Sequence, residues 1–370
     1  MNYATLEECC TILDHQRIPI KKSERTEGII PYYGANGLQG YINDYIFDDD
    51  LVLLAEDGGA FGSATTPIAY RVSGKCWVNN HAHVLKPMNN INVDYLCYAL
   101  MFYPVNSLIT GTTRKKLTQS AMRKICIPLR SLSEQIQIVC LLKKVEQTIN
   151  ECEQLQKDLD ILVKSQFIEL FGDLEANPKG WKKTTFDEVS VKITDGEHAT
   201  VPRVNTGYIF LNARNVLKSG VINLTGVTFI SEDNHNRIYK RCNPEAGDIL
   251  LTTTGTIGNV VIVPDMDAFS MDRGITLIKQ DRSIINGTFF SVAMQMDSLQ
   301  MHMRNGIHAS AIGHLFMNKV KALPILVPHL ALQNEFAAFV EQVDKSKLVL
   351  RQLLEKQKTL KAALMQEYFS

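Results

Sequence analysis

Few residues in this chain have types and spacings that approach known chemistry, and most of them fail on closer reading. His81 and His83 alternate along an apolar stretch, so their rings could point the same way, as metal ligands do. No Cys or carboxylate stands near them at metal-ligand spacing, and hydrogen-bonding or core histidines are the simpler reading. Gly255-Thr256-Ile257-Gly258 has glycines like those of a phosphate loop, but no Lys follows, and a tight turn beside a strand accounts for it. There is no GxxxxGK[ST] sequence, which excludes an ATP motor of that type, and no Asn-Pro-Pro-Tyr of an amino-methylating enzyme. No paired carboxylates and no nucleophile–base set stand out. The eight cysteines form no CxxC pair and no zinc-spaced cluster, so they read as reduced, mostly buried thiols. No catalytic residue and no metal ligand is assigned.

The remaining candidates are cationic. Arg114, Lys115 and Lys116 lie in a polar loop, Gly111 to Leu117, and Lys21, Lys22 and Arg25 lie in another. Arg203, Arg214 and Lys218 are the comparable residues of the second half. Such groups neutralise phosphates, and an arginine can also read a base edge. The alternative is solvated surface charge. Net charge does not decide between them, because 39 basic groups balance 39 acidic ones. Residues 1–130 carry 13 basic and 12 acidic groups, and residues 172–330 carry 16 and 15. Any polyanion-binding face must therefore be sorted out by folding, or shared with partners.

The elements that position these loops occur twice. Residues 133–171 overlie 331–369 at a constant offset of 198, with Val145 on Val343, Leu155 on Leu353 and Leu162 on Leu360. Upstream, Leu54 to Gly62 overlies Leu250 to Gly258 at offset 196, and Gly111 to Lys124 overlies Gly306 to Lys319 at offset 195. The chain reads globule, long helix, globule, long helix. In the first helix, positions 138, 141, 145, 148, 152, 155, 159 and 162 step by three and four. Positions 336, 339, 343, 346, 350, 353, 357 and 360 do so in the second. This predicts two a/d seams, and their matched registers predict antiparallel pairing within the chain through Val145, Leu155, Leu162, Val343, Leu353 and Leu360. Packing of each helix on its own globule, or homodimerisation, is the competing reading. Ser131 with Glu134 fits a capping box, and Gly172 fits a helix stop. Short strands are expected at 41–47, 51–55, 78–85, 208–211, 248–252, 260–263 and 274–279, with helices at 93–102 and 288–302. The fold class expected is α+β: two mixed α/β domains separated by two long helices paired as an antiparallel coiled coil, with pseudo-two-fold symmetry. No apolar run reaches the length of a membrane span, and the first residues do not form a signal peptide.

Several phrases then carry a family resemblance. They are Pro31-Tyr32-Tyr33-Gly34-Ala35-Asn36-Gly37, Asn79-Asn80-His81-Ala82-His83-Val84-Leu85, the helix starts Leu132-Ser133-Glu134-Gln135 and Leu332-Gln333-Asn334-Glu335-Phe336, Phe167 to Asp173, Asn177 to Trp181, and Thr253 to Gly258. Together with the element order, they resemble the specificity subunits of type I restriction–modification systems along essentially the whole chain. The resemblance implies target recognition domains at 1–128 and 173–328, and conserved spacer helices at 129–172 and 329–370. Each domain would read one half of a split, asymmetric double-stranded DNA target. The helices would dock two methylation subunits, and restriction subunits would join them. This chain would bind no cofactor, while its partners use S-adenosylmethionine, ATP and Mg. A cytoplasmic location in a bacterium or archaeon is implied. The candidate DNA contacts are Lys21, Lys22, Arg25, Tyr32, Asn36, Asn80, His81, Arg114, Lys115 and Lys116 in the first domain. In the second they are His198, Arg203, Arg214, Lys218, Thr254 and Arg273. The first globule begins with almost no lead-in, so the short N-terminal segment of many members is expected to be missing. Two other readings stay open: a coiled-coil scaffold with protein-binding globules, and an orphan DNA-binding subunit without an active complex.

Overall fold

The computed structural model describes residues 2–111, 114–307 and 313–369, without the side chain of Lys22. It divides into two compact units, Met1–Glu153 with Gln352–Ser370, and Gln154–Arg351. Each unit holds one globule and a part of both long helices, which span Leu132–Phe171 and Leu330–Phe369.

In the first unit an antiparallel sheet runs in the order Cys10–Ile12, Ala82–Pro87, Leu51–Ala55, Ala69–Val72. Leu51–Ala55 is apolar and buried throughout, as a strand covered on both faces must be. Val52 and Leu54 face a core built with Tyr95, Leu96 and Leu100 of the helix Val93–Met101 and with Ile138, Leu142 and Val145 of the long helix. Leu51 and Leu53 face the other way, onto Val72, Cys76, Val78 and Val84. A second sheet, in the order Gly37–Ile42, Ile30–Gly34, Lys75–Val78, Phe47–Asp48, supplies part of that layer. Asn2–Thr5 pairs antiparallel with Cys126–Leu129, which stitches the two ends of the globule together.

The second unit repeats this plan. Its sheet runs Ser190–Asp195, Ile275–Gln280, Ile249–Thr252, Val260–Ile262, and its other sheet runs Thr228–Ile230, Tyr208–Leu211, Ser270–Met271. Ile30–Gly34 is parallel to Lys75–Val78, and Tyr208–Leu211 is parallel to Ser270–Met271. Lys182–Thr185 closes on Pro324–Val327, as the terminal strands do in the first unit. The strand expected at 78–85 is two strands, because Asn79, Asn80 and His81 form a turn between them. The helix expected at 288–302 is also two, Gly287–Met294 and Asp297–Asn305, broken where Met296 takes an extended conformation.

The long helices pair within each unit. In the first, Glu146 bonds Lys361 at 2.8 Å and Glu153 bonds Lys358 at 3.3 Å. In the second, Asp160 bonds Lys347 at 2.6 Å, and Val163, Phe167 and Phe171 share a core with Phe336, Val340 and Val343. Numbers rise on one helix as they fall on the other, so the segments run antiparallel. Val145 and Val343 are buried as expected, but Leu155, Leu162, Leu353 and Leu360 are 37–49% exposed and lie outside the seam. Among the buried or half-buried positions, one series on each helix steps by three and four: 135, 138, 142, 145, 149, 152, 156, 159 and 163, and 333, 336, 340, 343, 347, 350, 354, 357 and 361. Every second position of the expected seam is therefore displaced by one residue. Both registers alternate three and four and share 138, 145, 152 and 159. Leucines at 141, 155 and 162 filled the wrong one, whereas the true seam contains Gln156, Lys347 and Lys361. Lysine can lay its methylene stem along an apolar face, so it tolerates such positions. The offset of 198 still relates the two observed seams.

Each helix start is held by a fully buried glutamine. Gln135 accepts the Asn92 N–H at 2.7 Å and donates to the Asn90 and Arg130 carbonyls at 3.0 and 2.9 Å. Gln333 accepts the Asn286 N–H at 2.8 Å and donates to the Ile284 and Pro328 carbonyls at 3.2 and 2.8 Å. Asn92 and Asn286 are themselves the N-caps of Val93–Met101 and Gly287–Met294. Ser131 and Glu134 form the expected capping box. Gly172 ends the first helix at φ +78°, and a Cβ there would meet the Pro178 ring at 2.6 Å.

Candidate nucleic-acid interface

Both globules build one loop frame from the same backbone hydrogen bonds. In the first, the Asn79 N–H donates to the Tyr33 carbonyl at 3.0 Å, and the Asn79 side chain accepts the His81 N–H at 2.8 Å. The Glu56 N–H then donates to the His81 carbonyl at 2.9 Å, and the Leu117 N–H to the Glu56 carbonyl at 2.7 Å. In the second, Asp272 bonds Leu211 at 2.9 Å and accepts the Gly274 N–H at 2.8 Å, Thr253 bonds Gly274 at 2.9 Å, and Leu315 bonds Thr253 at 2.9 Å. Asp57 is bridged to Lys116 in the first frame, and Thr254 to His314 in the second. The frame is conserved between the halves while its side chains change, so two copies of one scaffold present different chemistry.

In the first globule the frame gathers His81, Arg114 and Lys116 from the expected set. Arg114 Nη2 donates to Asp57 Oδ1 at 2.7 Å, and His81 Nδ1 lies 2.7 Å from the same oxygen. Lys116 Nζ is 2.9 Å from Glu56, which also takes Arg17 Nη1 at 2.6 Å. Asn36 reaches into the same loops and donates to the Gly58 carbonyl at 3.0 Å. Asn80 stands exposed at the tip of the turn and Lys115 exposed beside Arg114. Behind them Asp14 accepts from His83 at 2.6 Å, from the Val84 N–H at 2.9 Å and from Gln119 at 2.9 Å. Burial pushes the Asp14 and Glu56 carboxyls up. His83 together with these N–H donors outweighs burial at Asp14, and Lys116 with Arg17 outweighs it at Glu56, so both sit below the usual range.

Among the described residues, Asp14, Glu56 and His83 lie close enough to form a metal trio. Their donors are already used. His83 Nδ1 faces Asp14 and its Nε2 faces the Leu117 carbonyl at 2.9 Å, while Glu56 holds two protein cations. The trio is an ion-pair buttress behind the loops. His83 is the buried, hydrogen-bonded histidine that the sequence favoured.

The second globule gathers Arg203, Arg214 and Arg273 around Asp272, whose carboxyl is pushed up by burial against the pull of the Gly274 N–H and these guanidinium groups. Thr254 Oγ1 lies 2.7 Å from His314 Nδ1. His198 is tied to Asp195 at 2.6 Å, and Arg237 to Glu197 at 2.8 Å. Lys218 is exposed on the turn 217–220.

Other expected residues are placed elsewhere. Tyr32 is 1% exposed, a core residue with Ile42 and Trp77, because its strand is central to its sheet; it offers no surface to a base. Arg25 lies over that ring at 3.9 Å, which uses its face for packing. Arg203, although it acts on Asp272, also lies over Phe210 at 4.1 Å. Lys21 is exposed near Glu24, and the Lys22 side chain lies outside the described set, as do loop residues 112–113 and 308–312. Asp57, Arg17 and His314 were missed. No signal in the sequence marked them, since its offset of 196 lays Asp57 on Thr253, whereas the bridges set Asp57 against Thr254.

The same loop frame on two globules, with the long helices paired in each unit, defines a protein built from two copies of one domain. The type I restriction modification DNA specificity domain matches residues 1–160 and again residues 178–360, and the chain belongs to that family. It is a non-catalytic DNA sequence-specificity subunit. It is 26% identical over 357 residues to a Haemophilus influenzae protein described as a type I restriction enzyme specificity subunit, covering 93% of this chain and 88% of the relative. The crystal structure of a type I restriction–modification S subunit from M. genitalium shares the fold, with a TM-score of 0.63 at 16% identity over 100% of this chain and 96% of that one. A chain from a structural study of type I system assembly and conformational transition gives 0.61 at 15%, covering 100% and 97%. Among the described residues, no helix is long and apolar enough to cross a membrane.

Proposed function

We propose that this subunit reads a split, asymmetric DNA target, one half with each globule, and brings two methylation subunits and the restriction subunits of a type I system to it. The observation that carries the proposal is the duplicated loop frame with unlike side chains. Asp57, His81 and Lys116 stand in the first frame where Thr254, Gly274 and His314 stand in the second. Identical frames favour the same mode of approach to DNA, and unlike donors and acceptors favour different bases. The docking stoichiometry is supported by the exposed leucines that flank each seam. Leu155 and Leu162 on the first helix recur as Leu353 and Leu360 on the second, so an apolar stripe is present twice. The partners would supply S-adenosylmethionine, ATP and Mg chemistry, and this chain would supply position. Co-expression with a methylation subunit, followed by mapping of methylated adenines, tests the reading. The expected motif has two unlike halves separated by a fixed gap. A continuous or palindromic motif would overturn it.

A further inference from the structure

Resting on that reading, we infer that Arg114 reads a guanine in the half-site of the first globule, and that Asp57 and His81 are positioning residues that aim its guanidinium. Arg114 is 62% exposed on its side chain, yet it is not loose. Asp57 Oδ1 holds Nη2 at 2.7 Å, and His81 Nδ1, itself 2.7 Å from that oxygen, lies 3.4 Å from Nη2. Asp57 is in turn set by its bridge to Lys116, and its side chain is only 14% exposed. Among the described residues Nη2 is the only engaged nitrogen of Arg114, so the Nη1 end of the fork stays open.

Two ligands compete for such a group, a phosphate and a base edge. A phosphate is drawn by net charge. Here Arg17, Arg114 and Lys116 are matched by Asp14, Glu56 and Asp57, so the spot offers little net charge at a distance. Lys115, exposed and next in sequence, is the better phosphate group. What survives neutralisation is direction. A planar fork with one nitrogen pinned offers two near-parallel N–H groups at fixed orientation. Guanine presents two adjacent acceptors, O6 and N7, in the major groove. Adenine puts a donor beside N7, and thymine offers one acceptor and a methyl group. The fixed fork therefore matches guanine. The second frame carries Thr254 in place of Asp57 and Gly274 in place of His81, so among the described residues it holds no arginine in this way.

The test uses the full chain assembled with its methylation subunits, once adenine mapping has given the target. Competitive binding is measured on duplexes carrying each of the four bases at each position of the first half-site, across a salt titration. Arg114→Lys keeps the charge and removes the fork. Its exposed position leaves folding intact, which thermal unfolding checks. Preference for guanine at one position should fall roughly 5- to 150-fold, the span of one bidentate base contact, with the salt slope unchanged. Asp57→Asn should weaken discrimination at the same position and leave the second half-site untouched. Lys115→Ala should instead weaken all sequences alike and lower the salt slope by about 1. The inference is overturned if Arg114→Lys leaves every base ratio unchanged, or if it lowers all affinities equally. A wild-type complex without any sequence preference would overturn the specificity reading itself.

Discussion

Replacing Gln135 with Leu should detach the start of the first long helix from its globule. Gln135 is fully buried and makes three hydrogen bonds, all to backbone groups. Leucine fills nearly the same volume, so no cavity opens and the polar term is isolated. The Asn92 N–H and the Asn90 and Arg130 carbonyls lose this partner. Each unsatisfied group costs about 1–3 kcal/mol, or about 3–9 kcal/mol together. Burial of the leucine returns about 1.5–3 kcal/mol. Taking the middle of each range, a net loss of about 4 kcal/mol follows, which for a unit of this size lowers Tm by roughly 8–16 °C. Gln333→Leu removes the same three kinds of bond and should cost a similar amount in the second unit. Scanning calorimetry of the full chain reads both. If each unit melts by itself, each variant should shift one transition. Shifts below about 2 °C for both variants would refute the reasoning, because three orphaned backbone groups cannot be that cheap.

The corrected seam makes a second prediction. Leu155→Asp and Leu353→Asp should change unfolding by no more than about 0.5 kcal/mol, since both are exposed, yet impair capture of methylation subunits in a pull-down. Val163→Asp, by contrast, should destabilise the chain by several kcal/mol. A third concerns acid. Asp14 and Glu56 titrate below their ordinary values in the folded chain, so their contribution is complete above about pH 4–4.5 and is lost as pH falls through the lowered folded values. Asp14→Asn should therefore flatten the acid limb of a stability–pH curve, and an unchanged limb would count against the buttress. A fourth is modular. Exchange of residues 1–125 for those of a related subunit should alter one half of the methylated motif. One heptad added near residue 150 and another near 348 lengthens each helix by about 10.5 Å and should widen the gap by about three base pairs at roughly 3.4 Å each. Alteration of both halves by the exchange would defeat the modular account.

Much of the architecture was legible because the chain repeats. The strand Leu51–Ala55 and both long helices announced themselves through apolar runs and periodicity. The seam register did not, since two heptad frames one residue apart share half their positions, and the true one carries Gln156 and Lys347. Hydropathy ranks residues by side-chain type, whereas a seam is set by which face the globules leave for packing. The closing strand pairs also escaped notice: Lys182–Thr185 reads as polar and gains its place only from its partner, Pro324–Val327. Gln135 and Gln333 could have been found, because they hold the same offset of 198. The side chains of the interface were least legible. Arg114 looked like one cation among several until the fold brought Asp57 to it from 57 residues away.

The strand pairs that close each globule, Asn2–Thr5 on Cys126–Leu129 and Lys182–Thr185 on Pro324–Val327, have a consequence at the level of the gene. Because entry and exit of each globule meet at one place, the stretch between them can be inherited as a cassette. A crossover in the codons for the strands or the long helices would splice a foreign cassette onto an unaltered frame. A lineage could then change half of its target in a single event. It would not pass through intermediates that recognise nothing, as it would if specificity had to drift residue by residue. The same geometry requires every cassette to fit the same helices.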